Sequence, residues 1–237
     1  MNYNKLLNLK DKSEMEEYII QFQIKNRIVI KEILNPQFAS LIFKYINNLP
    51  IQRWRHVCGM EIRRFESKIN ATNREKIHFF VKEAQRYFTE NRFSYNFHRT
   101  MYLNPKEITN IEIDLYNLLS SPEMIEFINQ ITNMNIVKLN QVFISKYKSG
   151  HFLSPHSDKG NGRLAFVINM TKDWLPQYGG NLHFLSDDRT TIIDTVTPIF
   201  NNMILFNIPE PNGIPHFVSH VVPEITQKRY AISGWYN

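Results

Sequence analysis

The chain has 237 residues, 28 Lys and Arg against 22 Asp and Glu, a formal net charge of +6, and a hydrophobic fraction of 43%. That apolar fraction supplies a core and excludes a disordered chain. A single cysteine, Cys58, excludes an intrachain disulfide framework and points to a reducing, cytoplasmic setting.

The positive charge is spread along the chain, which favours a solvated surface over a nucleic-acid footprint. No stretch has the length of an apolar membrane span. Residues 1–20, "MNYNKLLNLKDKSEMEEYII", carry acids and lysines where a signal peptide needs an apolar run. Oligomeric state is not readable from these features.

Helical patterns dominate up to residue 134. Ser13 with Glu16 reads as a capping box ahead of "MEEYIIQF". A short β-like run, "RIVIKEIL", follows. Pro36 opens "PQFASLIFKYINNL", with Phe38, Leu41, Ile42, Tyr45 and Ile46 on one helical face. "NREKIHFFVKEAQRYFTEN" repeats apolar residues at helix spacing. In "RFSYNFHR" (residues 92–99) aromatics mix with arginines; they fit helix-to-barrel packing, with Arg92 and Arg99 as candidates for a substrate mouth. Ser121 and Pro122 read as the cap and first residue of "PEMIEFINQI".

From residue 135 the pattern shortens. "IVKLNQVFISKY", "LAFVINM", "GNLHFL", "TTIIDTV", "MILFNI", "HFVSHVV" and "RYAISGWY" are β-rich runs bounded by Gly, Pro, Asn and Asp. Short strands without intervening helices predict a sandwich or jelly roll. No polar linker divides the halves. The expected organisation is therefore one domain over 1–237, with a mainly helical part over 1–134 and a jelly-roll core over 135–237.

The chemistry-bearing stretch is "GHFLSPHSDKGNGR" (residues 150–163), where His156 and Asp158 stand two apart in a loop after a β-run. In extended chain both side chains point the same way. With one more histidine they would make the two-His, one-carboxylate set of non-haem Fe(II) oxygenases. The pair alone is weak evidence, since a loop hydrogen bond and a turn cap explain it as well. "IPHFVSHVV" offers His216 and His220 for the third position. Arg229, on an inward-facing barrel position, would have to find an anion, and its planar fork matches a carboxylate.

The runs "KYKSGHFLSPHSD", "RLAFVINMTKDW", "YGGNLHFL", "VTPIFNNMILFNIP", "PHFVSHVVP" and "RYAISGWY" resemble the 2-oxoglutarate- and Fe(II)-dependent dioxygenases. The likeness is to the prolyl 4-hydroxylase-like branch and its bacterial predicted proline hydroxylases, over roughly residues 140 to 237.

The resemblance implies an α+β fold with a mainly β core: a double-stranded β-helix, or jelly roll, with N-terminal buttressing helices. It implies Fe(II) held by His156, Asp158 and His216, because "HFVSHV" fits the family's H-x-V-x-x-V run; His220 competes for the third place. It implies 2-oxoglutarate as co-substrate, with Arg229 on its distal carboxylate and Tyr147, Asn169 and Ser233 lining its pocket, although Asn169 stands where some relatives have tyrosine. O2 is the third reactant, and succinate and CO2 leave as co-products.

Asp158 sits where halogenating relatives carry a small residue, so hydroxylation is expected. The expected substrate is a prolyl or other amino-acid residue in a protein or peptide, or else a free amino acid or small metabolite. A cupin-like metal-binding jelly roll without co-substrate, and a silent interaction module, are the readings from other classes.

The remaining residues take structural readings. Trp174 and Trp235 suit packing, His183 a strand near the pocket, and Gly179-Gly180 a turn that lets the next strand start. His56, His78, His98 and His151 show no ligand-like spacing, and Cys58 has no nucleophile context.

Overall fold

The computed structural model describes residues 5–8, 10–104, 106 and 109–237. Five α-helices and twelve strands lie in it. The helices are α1 (Lys12–Lys25), α2 (Pro36–Asn47), α3 (Arg74–Thr89), α4 (Asn110–Leu119) and α5 (Pro122–Thr132). The strands before residue 135 are β1 (Arg27–Ile30), β2 (Arg55–Met60), β3 (Arg63–Lys68) and β4 (Ser94–Arg99). Those after it are β5 (Leu139–Tyr147), β6 (Phe152–His156), β7 (Leu164–Asn169), β8 (Leu182–Leu185), β9 (Ile192–Val196), β10 (Met203–Asn207), β11 (His216–Val218) and β12 (Arg229–Tyr236).

The helix signals hold with one shift. α1 is capped by Asp11, not Ser13: Asp11 Oδ1 accepts from the Glu14 N–H at 2.9 Å, and Glu14 Oε2 accepts from the Asp11 N–H at 3.3 Å. Asp11 is as good a cap as Ser13, and Glu14 completes its box three residues on. Pro36 and Pro122 open α2 and α5 behind the side-chain caps of Asn35 and Ser121. α4 carries its own start signal, in which Glu112 reaches back to accept from the Thr109 N–H at 3.2 Å.

The strands pair antiparallel in the order β1-β10-β7-β12-β5-β4-β6-β11-β8-β9, with β2 on β4 and β3 on β2. The path curls. β1, β10, β7, β12 and β5 form one wall, β6, β11, β8 and β9 the facing one, and β4 joins them. At the open ends Arg27 of β1 donates to Asp194 of β9 at 2.9 Å. This is the double-stranded β-helix that the resemblance implies, within the sandwich or jelly roll that the strand pattern predicts. The first 134 residues are less helical than expected, for they contribute β1 to one wall and β4 to the junction.

Two cores follow from this geometry. One fills the gap between the helices and the outer face of the first wall; Leu118, Ile128, Phe166, Leu205 and Tyr236 belong to it. The other fills the space between the walls and includes Phe97, Tyr147, Phe184, Phe206 and Val218. Helix α3 packs on β2 and β4, where Ala84, Met60 and Phe152 meet.

Candidate metal centre and co-substrate cavity

β6 ends on His156 and β11 begins on His216, and these two residues are direct partners in the antiparallel ladder. Opposed residues place their side chains on one face, so the rings sit 4.2 Å apart between centroids. The register slips immediately after His216, a bulge of the kind that re-aims a side chain at a site.

Asp158 follows in the turn beyond β6. Its Oδ1 lies 3.4 Å from His156 Nε2 and its Oδ2 3.6 Å from His216 Nε2. One donor atom from each of the three lies within 4.8 Å of the others. Donors about 2.1 Å from a shared ion stand roughly 3 to 3.5 Å apart, so the spacing suits a cation better than direct hydrogen bonds.

Both imidazoles are oriented from behind. His156 Nδ1 lies 3.0 Å from the Ser154 carbonyl and His216 Nδ1 2.8 Å from that of Ile214. With Nδ1–H donating to a carbonyl, each Nε2 presents a lone pair to Asp158, the tautomer a metal ligand needs. Burial, together with the neighbouring His156, pushes the His216 pKa down to about 4 despite Asp158, so this ring is neutral at neutral pH. Burial alone would raise the Asp158 pKa. The hydrogen-bonding His156, the charge interactions with His216 and His156, and the Trp235 indole outweigh it and hold Asp158 well below the usual carboxylate range. A carboxylate with two imidazoles, each tied from behind to a backbone carbonyl, is a donor set for a divalent cation.

Arg229 opens β12 directly opposite Tyr147, the last residue of β5. It is 3% exposed. Its guanidinium carbon stands 5.0 Å from the Tyr147 ring centre, and its Nε meets no acceptor. Burial lowers its pKa, opposed by Tyr147, but arginine remains charged. Burying such a charge is costly without an anion. Burial raises the Tyr147 pKa, against the pull of Arg229, so its phenol keeps its proton and can donate.

One narrow cavity of about 80 Å³ is lined by His156, Asp158, His216, Arg229, Tyr147 and Ser233 together. Gly180 makes room beside Arg229. At φ +64° it carries no side chain, and a Cβ there would stand 3.1 Å from Arg229 Cδ. Its neighbour Gly179, at φ +72°, would drive a Cβ to 1.9 Å from the His220 carbonyl oxygen. The pair is the turn expected, and the packing behind it explains why two glycines stand there.

Other expected residues fall elsewhere. Asn169 is buried with its Oδ1 unpartnered. Opposite Ala231, it lies on the cavity-facing side of β7 but outside the cavity lining. His220 stacks on Phe152 at 4.2 Å and meets Phe88 edge-on at 4.4 Å, apart from His156 and Asp158. Trp174 is buried and donates to the Gly179 carbonyl at 2.9 Å. Trp235 does more than pack: it lines the cavity, and its indole helps keep Asp158 ionised. His183 is a strand residue bonded to Thr195 at 2.9 Å. Arg92 is engaged by Glu61 at 2.7 Å and Arg99 by Glu66 at 2.8 Å. "RFSYNFHR" is strand β4, and Phe97 from it stacks on Tyr147 at 5.0 Å.

One grouping escapes any reading of sequence spacing. His56, His98 and His151 come together on the far side of β4. They are separated by 42 and 53 residues in the chain (98 − 56 and 151 − 98), so only the strand pairing reveals them.

Residues 142–237 match the family described as the 2OG-Fe(II) oxygenase superfamily. No curated protein matches the chain by sequence. Among solved structures, a 2OG-Fe(II) oxygenase family oxidoreductase from Burkholderia pseudomallei is similar. Its TM-score is 0.63 at 12% identity, with 98% of this chain and 95% of that one covered. A Pseudomonas putida prolyl-4-hydroxylase gives a TM-score of 0.55 at 13% identity, covering 94% and 93%. The viral collagen prolyl hydroxylase of Paramecium Bursaria Chlorella virus-1, in its 2OG complex, gives 0.52 at 12% identity, covering 90% and 96%. At these identities the structures establish a shared fold. The matched segment holds His156, Asp158, His216 and Arg229, and the family it resembles comprises oxidoreductases that use Fe(II), 2-oxoglutarate and O2.

Proposed function

We propose that the chain is a hydroxylase of an unactivated C–H bond in a prolyl or other amino-acid residue of a protein or peptide, acting in the cytoplasm. The observation that carries this reading is the sharing of one cavity by a two-His, one-carboxylate donor set and a buried arginine with an unpartnered Nε.

His156, Asp158 and His216 would hold the iron. Ferrous iron with 2-oxoglutarate and O2 would supply the oxidising power, one oxygen atom going to the substrate and the other to succinate, with CO2 released. The chain's residues do the rest. Arg229 binds the distal carboxylate through its fork, and the Tyr147 phenol donates beside it. Ser233 lines the same wall. The Ser154 and Ile214 carbonyls fix the two rings. Phe97, Phe206 and Trp235 keep bulk water from the cavity.

A cavity of about 80 Å³ lies below the ≈ 300 Å³ of ordinary small-molecule pockets. So narrow a space leaves no room to enclose a whole metabolite beside the co-substrate, which favours a substrate presented from outside, such as a polypeptide. The shared fold with prolyl hydroxylases supports a prolyl target.

The test has two parts. Anaerobic addition of Fe(II) and 2-oxoglutarate to the apoprotein should give the weak visible charge-transfer absorption of a chelated 2-oxo acid. His216→Ala should abolish it and His220→Ala should keep it. Incubation with proline-containing peptides and with free amino acids, read by mass spectrometry for one added oxygen, then separates the substrate classes. No absorption in the unmutated protein overturns the reading; oxygen added only to a free amino acid moves it to a metabolite hydroxylase.

A further inference from the structure

We propose that His56, His98 and His151 form a second divalent-metal site, separate from the first and suited to Zn(II) or a similar borderline cation. Strand β4 divides the two. Its side chains alternate, so Phe97 lines the first cavity while Asn96 and His98 line a cleft on the opposite face. His56 of β2 stands directly opposite His98 in the ladder. His151 reaches the same point from the loop between β5 and β6. The cleft is the larger of the two cavities, about 930 Å³, with helix α3 forming its other wall through Ile77, His78 and Val81.

The donor geometry is that of a ligand set. One nitrogen from each ring lies within 4.8 Å of the other two, and His98 Nε2 is 3.0 Å from His56 Nδ1. The rings stand 4.7, 4.9 and 5.8 Å apart between centroids. All three residues are buried, at 5%, 4% and 2% exposure. Two outer nitrogens are held from behind, as ligating imidazoles require. His151 Nδ1 faces the Lys146 carbonyl at 3.4 Å, and His56 Nε2 contacts Cys58 Sγ at 3.2 Å.

At 3.0 Å a proton can bridge His98 Nε2 and His56 Nδ1, and a cation shared with His151 can take its place. Burial pushes His56 down to about 4 and holds His98 and His151 below the ordinary histidine value. All three rings are therefore neutral lone-pair donors at neutral pH. Three neutral imidazoles match the three-histidine sites of Zn(II), whose fourth position stays open. Here that position would face the cleft. Lys148, Arg74 and Glu75 line the cleft, and the two cations favour a metal carrying an anionic fourth ligand.

The experiment uses the full chain with its first site disabled, as Asp158→Ala/His216→Ala, stripped of metal. Zn(II) is titrated against a chromophoric chelator, and bound metal is counted by elemental analysis after dialysis. The expected result is one Zn(II) per chain, held at micromolar affinity or tighter, and lost on adding His98→Leu or His151→Leu. Thermal melts check that each variant folds. The count in the chain with the intact cluster decides the matter even if a histidine variant fails. Zero bound Zn(II) in that chain, or a site that survives both His98→Leu and His151→Leu, overturns the proposal.

Discussion

Replacing Arg229 by methionine separates what this residue costs from what it contributes. In the ligand-free protein the guanidinium is 3% exposed and its Nε is unpartnered. The only titratable group that supports its charge is Tyr147. Methionine removes the buried charge and keeps most of the apolar stem, so the apoprotein should gain about 1 kcal/mol or more. For a chain of this size that is a rise of about 2–4 °C in Tm per kcal/mol.

Binding should change in the opposite direction. Removing one partner of a buried charge pair costs about 2–5 kcal/mol. At about 1.4 kcal/mol per tenfold, the Kd for 2-oxoglutarate should rise roughly 30-fold to several thousand-fold. The assay is a pair of melts, without and with 2-oxoglutarate, in the presence of Mn(II) to prevent turnover. The unmutated chain should be stabilised by about 2.7 kcal/mol at 100 times its Kd, and Arg229→Met should keep less than about 1 kcal/mol of that shift at the same concentration. A variant that binds 2-oxoglutarate as tightly as the parent refutes the assignment. A fall in apo stability refutes the claim that this arginine waits for an anion.

Three further outcomes follow from other contacts. Arg53 Nη2 donates to both carboxylate oxygens of Glu112, at 2.8 and 2.9 Å, and the Glu112 side chain is only 1% exposed. Arg53→Met should cost about 2–3 kcal/mol in urea unfolding, at or just under the 3–5 of a fully buried pair because Arg53 is one-third exposed. Gly179→Ala forces a left-handed φ and a backbone clash with His220; a loss of at least about 2 kcal/mol should appear in the same assay. The acid limb of the metal-free protein should be steep. His56, His98 and His151 titrate below their ordinary value of 6.5 when folded, so the unfolded chain binds more protons below that pH. Their contribution is complete above pH 6.5 and lost as pH falls toward about 4, the His56 value, by about 1.4 kcal/mol per pH unit for each ring. His98→Leu should flatten the limb by one ring's worth, and an unchanged slope between pH 6 and 4.5 would show that His98 does not stay neutral in the fold.

The parts of this protein that can be read from its sequence are those whose signals are local. Pro36 and Pro122 mark helix starts because proline suits the first helical position. The seven β-rich runs after residue 135 are all strands, because Gly, Pro, Asn and Asp bound them. β2 and β3 are missed for physical reasons. β2, "RHVCGM", is buried at every residue after its first, which erases the alternation that identifies a half-buried strand. β3, "RRFESK", buries Phe65 alone and otherwise looks like a charged loop. His156 and Asp158 are visible as a local pair, but His216 is joined to them by the pairing of β11 with β6. That link is nonlocal, and the resemblance of the whole run to a family supplies what spacing does not.

β4 shows why such a resemblance reaches only so far. In "SYNFHR" the buried positions include Ser94, Asn96 and His98, which a pattern search treats as solvent-facing. All three are even-numbered and share one face, so their burial makes sense only if that face meets something polar. The odd-numbered face lies over the first cavity, where Phe97 shields Tyr147 and, behind it, Arg229. The even-numbered face supplies His98 to the second histidine cluster. Strand β5 divides in the same way, with Ser145 and Tyr147 toward the first cavity and the Lys146 side chain away from it, over the Trp54 ring. A substitution in β4 therefore perturbs one centre according to the parity of its position. Phe97→Leu should weaken 2-oxoglutarate binding and leave the Zn(II) count of the Asp158→Ala/His216→Ala chain at one. Asn96→Leu, next to Cys58 and the His56 ring, should weaken Zn(II) binding in that chain and spare 2-oxoglutarate affinity in the chain with an intact first site. If both substitutions moved both readouts equally, the strand would transmit strain as a body, and the two sites could not be treated as independent.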